Sequence, residues 1–167
     1  MADGTRGRRW RAVATVDGSI SHSALIEVDP AGRPARLELT TPNGMLTLHP
    51  SADEAEIHGN VVRPGGGVEP LALGWSTECE LDIIGRPLAL GIGLNRRRAS
   101  VPIGAMIEID VVAVGPELSI QTTKRRIQRL SETDWRILAL GGGPARRISL
   151  DADGLPVGGV RWPLEAD

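Results

Sequence analysis

Apolar residues in this chain recur with a period of two between closely spaced chain breakers. Ile26 and Val28 flank Glu27, Leu37 and Leu39 flank Glu38, and Leu46 and Leu48 flank Thr47. Ile107, Ile109 and Val111 alternate with Glu108 and Asp110, as Leu118 and Ile120 do around Ser119. Such alternation buries one face of a sheet and solvates the other. The breakers are dense, 21 glycines and 12 prolines. Asp17-Gly18, Asn43-Gly44 and Asp153-Gly154 tolerate positive φ in two-residue hairpin turns.

The pattern predicts strands over 9–16, 19–29, 34–41, 44–49, 54–62, 68–75, 79–84, 88–94, 104–114, 117–130, 133–140, 145–150 and 155–162. Residues 122–130 (TTKRRIQRL) also place Thr123, Ile127 and Leu130 at helical spacing, but the match is short and strand is preferred. The expectation is an all-β chain forming one domain over 1–167, with 1–8 a flexible tail. Its long, strongly curved antiparallel sheet would close or half-close like a barrel or roll. Leu37, Leu39, Leu46 and Leu48 should share one buried face, because a turn fixes the register that propagates from it.

Composition excludes several classes. At 167 residues with 41% hydrophobic and 24% charged residues, the chain can bury a substantial core and wholesale disorder is not expected. With no Phe or Tyr, that core must rest on Leu, Ile, Val and Ala beside Trp10, Trp75, Trp135 and Trp162. A net charge of −2 argues against a general nucleic-acid partner. The start MADGTRGRRW is charged with no apolar run after it, so neither a secretory signal nor a transmembrane helix is expected. The expected compartment is the cytoplasm, where the single thiol, Cys79, stays reduced.

No arrangement for catalysis or a cofactor emerges. The one lysine, Lys124, lies outside any P-loop, and Gly91-Ile92-Gly93 lacks the rest of a dinucleotide fingerprint. His49 and His58 could meet if their strands pair, with Asp53 or Glu56 nearby, but surface histidines beside acidic hairpin residues are far commoner than metal sites. Cys79 has no base near it in sequence and reads as a buried, unreactive thiol. No cofactor, metal or catalytic residue is expected. Asp82, set among Leu81, Ile83 and Ile84, reads as a buried acid paired to an arginine, for structure or for ligand polarity.

Arginines cluster as Arg96-Arg97-Arg98 and as Lys124-Arg125-Arg126 with Arg129. On a strand, at most two of each cluster share a face. A guanidinium fork suits phosphate, carboxylate or sugar oxygens, while the plainer alternative is a solvated edge that discourages aggregation.

Several segments together resemble a bacterial family described as glycolipid-binding proteins. They are ALIEVDPAGRPARLEL (24–39), CELDIIGRP (79–87), PELSIQTTKRRIQRL (116–130), Trp135 and ISLDADGLPVGGVRW (148–162). The chain departs from the family at PLALGIGLNRR (87–97), where only the proline and the arginines correspond, and it lacks a family aromatic near Ile127. The resemblance implies a curved, lipoprotein-carrier-like sheet that binds an amphiphile without catalysis. Aliphatic chains would lie against Leu81, Ile83, Ile107 and Ile109, with Trp75 and Trp162 beside them. Arg96, Arg97 and Arg126 would meet the polar head. The alternative is an interaction or scaffold domain whose interior is completely filled.

Overall fold

A computed structural model describes residues 2–4, 7–17, 19–50, 55–140 and 142–157. Among the described residues the chain is all-β with one short helix, its strands fall into two sheets, and one sheet curls into a half-barrel. It divides into two compact units, residues 1–77 with 115–120, and residues 78–114 with 121–167.

The first unit is a meander of seven strands, each hydrogen-bonded to the next in chain order. They are β1 (Ala2–Gly4), β2 (Gly7–Val16), β3 (Ser19–Val28), β4 (Pro34–Thr41), β5 (Gly44–Pro50), β6 (Glu56–Val62) and β7 (Val68–Gly74). Residues 2–4 and 7–8 therefore lie in strands, where the sequence suggests a tail. All these pairings are antiparallel. Register places Ile26 opposite Leu37, Leu37 opposite Leu48, and Leu39 opposite Leu46. Leu37, Leu39, Leu46 and Leu48 are all buried, as the alternation requires. The loop between β4 and β5 is Pro42 and Asn43, as the expected strands 34–41 and 44–49 require, with Thr41 paired to Gly44. Gly44 has φ +125°, and a Cβ there would run into the Val62 carbonyl, so glycine serves this close approach. The loop 115–119 belongs to this unit, with Asn43 Nδ2 donating to the Pro116 carbonyl at 3.2 Å and Arg63 Nη1 to the Glu117 carbonyl at 2.7 Å.

The second unit holds β8 (Glu80–Ile83), α1 (Pro87–Arg97), β9 (Met106–Val114), β10 (Ile120–Arg129) from its second residue on, β11 (Asp134–Ala139), β12 (Arg146–Leu150) and β13 (Pro156–Val157). Its sheet runs β13-β12-β11-β10-β9-β8. Residues 120–129 form the preferred strand rather than the competing helix.

Two expectations are corrected here. Residues 88–94 are not a strand but the body of α1, and the sheet is not wholly antiparallel, since β8 pairs with β9 in parallel. The two are linked, because parallel neighbours cannot be joined by a hairpin and need a crossover, which α1 supplies. Pro87 opens the helix where a missing N–H costs nothing, and Arg96 and Arg97 lie in its last turn, where cations oppose the dipole. Leu90 and Leu94 enter a core with Val101, Ile109, Ile127 and Trp135. Among the described residues, no helix is long and apolar enough to cross a membrane.

Candidate functional site

All four residues of β8 are buried, and two of them are acids. Glu80 and Asp82 are each fully buried, so each needs compensating charge. Both find two arginines. Glu80 Oε1 accepts from Arg96 Nη2 at 2.6 Å and from Arg97 Nε at 2.8 Å. Asp82 accepts a two-point fork from Arg146, at 3.2 Å on Oδ1 and 2.6 Å on Oδ2, and a third bond from Arg125 Nε at 3.1 Å.

The two pairs differ in what lies beside them. Arg125 and Arg146, each side chain 11% exposed, line an open cleft of about 160 Å³. Ile84, Ile137 and Ala139 supply apolar wall, and the Gly142-Gly143-Pro144 segment forms the rest. Arg125 reaches the cleft because β10 alternates: Arg125, Ile127 and Arg129 are wholly or partly buried, while Lys124 and Arg126 are exposed. Lys124 is spent on Glu108 at 2.8 Å, which holds the Glu108 carboxyl below its ordinary range. Arg129 donates to the Arg98 and Val101 carbonyls and lies over Trp135, 6.0 Å from the ring centroid.

The cleft has one chemical character. The charged side chains that line it are two guanidiniums, which share the buried carboxylate of Asp82 and so leave a net charge of +1. The bonds to Asp82, with one from Arg125 Nη1 to the Lys124 carbonyl at 3.2 Å, leave most N–H groups of the two five-donor forks unused by them.

Residues singled out from sequence distribute differently. Arg96 and Arg97 do not line the cleft; they sit on α1 and are held by Glu80. Arg126 is exposed on the sheet face opposite Arg125. Leu81 and Ile83 are buried on β8, Ile109 lies inside the packed core, and Ile107 packs half-buried against it. Trp75 is buried in the first unit, its backbone N–H donating to the Ala55 carbonyl at 2.8 Å, while Trp162 lies outside the described residues. His49 and His58 do pair across β5 and β6, and His58 approaches Glu56 at 3.6 Å. Among the described residues, no group of three or more His, Cys, Asp or Glu is placed to hold a metal ion.

Asp82 is the buried, arginine-paired acid that its apolar neighbours implied. Its partners were not readable, because Arg125 and Arg146 are two among eighteen arginines. Glu80 was missed, although Glu80 and Asp82 stand at i and i+2 in a buried strand, which puts both on one face.

No family model matches the chain, and no curated protein does. Among solved structures it is similar to a DUF1089 family protein from Pseudomonas aeruginosa. That likeness has 18% identity over 96% of this chain and 94% of the other, with a TM-score of 0.53. At that identity the likeness shows a shared fold.

Proposed function

We propose that this protein binds an amphiphile without catalysing a reaction on it, a glycolipid being the class its sequence resemblance suggests. It would act in the cytoplasm, where Cys79 stays reduced. The observation that carries the reading is the cleft itself: aliphatic wall from Ile84, Ile137 and Ala139 stands beside the two guanidiniums of Arg125 and Arg146. An amphiphile offers a matching pair of surfaces.

Size sets what enters. A cavity of about 150 Å³ takes a benzene-sized molecule, so this cleft accommodates a polar end and a few methylenes rather than a whole acyl chain. Burying about four methylenes is worth roughly 3 kcal/mol, and each charge-assisted hydrogen bond about 1.5–3 kcal/mol. Both contributions favour binding with no catalytic group. The polar contacts thus shift from Arg96, Arg97 and Arg126 to Arg125 and Arg146.

A second reading, an interaction or scaffold module, is favoured by a separate observation. Val13, Val16 and Ile20 are 51%, 61% and 65% exposed near the end of the β2–β3 ribbon, apolar side chains that a partner would cover. Mass spectrometry of organic extracts from the natively purified protein tests the choice. An amphiphile at near-stoichiometric yield, reduced in an Arg125→Ala, Arg146→Ala variant, supports binding. Extracts without one, together with no uptake of a fluorescent fatty-acid probe, overturn it in favour of the scaffold.

A further inference from the structure

We infer that the cleft selects a single-charged oxyanion as the polar end of its ligand, rather than a neutral sugar; this rests on the amphiphile reading above.

Two observations lead there. The first is the charge count. Asp82 neutralises one of two arginines that are both largely withdrawn from water, so one positive charge faces the cleft. The second is donor character. The polar side chains lining the cleft are guanidiniums, which only donate, and the others are Ile84, Ile137, Ala139, two glycines and Pro144. A sugar hydroxyl brings a donor of its own and finds no side-chain acceptor. An anionic oxygen brings acceptors alone and meets matched N–H groups. Carboxylates and phosphodiesters share that chemistry. A dianionic phosphate would carry one charge more than the cleft balances.

The fork that Arg146 makes on Asp82 also fixes its plane. Asp82 is thus a positioning residue that keeps two like charges side by side in the absence of ligand. The incoming anion needs no large rearrangement to meet them.

Calorimetry on the full chain with four soluble probes below micelle concentration tests this. The probes are decanoate, dihexanoyl phosphatidylglycerol, decyl maltoside and decyltrimethylammonium. At least one of the two anions should bind about tenfold or more tighter than the maltoside, and the cation weakest of all. Which anion binds better separates carboxylate from phosphodiester as the natural end group. Arg146→Lys, which keeps the charge but loses the fork, should cut the anion preference severalfold. Ala139→Trp should block binding by filling the cleft that Arg125 and Arg146 line, and its far-UV spectrum reports folding. Equal affinity for maltoside and anions overturns this inference alone. Failure of every amphiphile to bind overturns the amphiphile reading as well. Anion preference that survives in a folded Ala139→Trp protein places the site elsewhere and also overturns the assignment.

Discussion

Gly93 on α1 lies directly against the buried carboxylate of Glu80, and a Cβ at that position would collide with Glu80 Oε2. Glu80 has nowhere to retreat, because Arg96 and Arg97 both hold its other oxygen. Gly91, two residues earlier and so nearly on the opposite side of the helix, makes a similar contact, where a Cβ would meet the Pro156 ring on β13. The helix therefore uses glycine to come close to the strands it covers, at a cost of about 1 kcal/mol per glycine in intrinsic propensity.

Gly93→Ala should consequently lower stability by about 1–3 kcal/mol, despite alanine being the better helix former. Urea unfolding followed by tryptophan fluorescence measures it. A Gly93→Ala protein as stable as the parent, or more so, would show that Glu80 moves freely and that the packing argument is mistaken.

Asp82 carries the second prediction. Removing a carboxylate that two largely buried arginines share leaves both cations uncompensated, so Asp82→Ala should cost about 3–5 kcal/mol. Replacing all three residues with aliphatic side chains of similar volume should recover most of that loss while abolishing anion binding, since the desolvation penalty disappears with the charges. If the triple variant is no more stable than the single one, the ion cluster does more than compensate its own charge.

These two acids show how far the fold could be read in advance. The leucine hairpin was legible because Leu37, Leu39, Leu46 and Leu48 obey one local rule with a turn between them. Helix α1 was not legible. Leu88, Leu90, Ile92 and Leu94 alternate with Ala89, Gly91 and Gly93, which reads as a strand, and two glycines lower helix propensity further. What overrides that pattern is tertiary: the parallel pairing of β8 with β9 demands a crossover, and no local signal announces a parallel pair. Pro87 at the start and Arg96-Arg97 at the end were the available signals for a helix. For the cleft, Asp82 was legible as a paired acid from Leu81, Ile83 and Ile84 around it. Arg125 and Arg146 were not, since their choice as partners depends on contacts 43 and 64 residues away.

Asp134 gives a pH-dependent prediction. Ser149 Oγ donates to it at 2.6 Å, Ser131 Oγ at 2.9 Å and Arg147 Nε at 3.2 Å, and these bonds hold its carboxyl below the ordinary aspartate range. The folded state therefore binds this proton more weakly than the unfolded state, whose aspartate titrates at about pH 4. The associated stability is fully present above that value and is lost as pH falls through the lower, folded value. Asp134→Asn should remove this portion of the acid-side slope in a series of melts from pH 6 to pH 2.5. The variant should follow the parent's slope at pH 6 and above. An unchanged acid limb would mean the serine bonds favour the charged form no more than water does.

The last prediction concerns Cys79, 4% exposed at the residue before β8. A thiol reagent needs both access and thiolate, and burial withholds access. Labelling in the native state should then require an opening event. If opening costs about 3 kcal/mol, native labelling runs about 100-fold slower than labelling in denaturant. Gly93→Ala and Asp82→Ala should both accelerate it, because they weaken α1 and β8, the elements that follow Cys79 in the chain. Leu46→Ala, in the first unit, should lower stability by about 2–5 kcal/mol through the cavity it leaves. It should accelerate labelling only if the two units open together. Fast native labelling with a thiolate formed well below neutral pH would instead mark Cys79 as a reactive group and count against a purely non-catalytic protein.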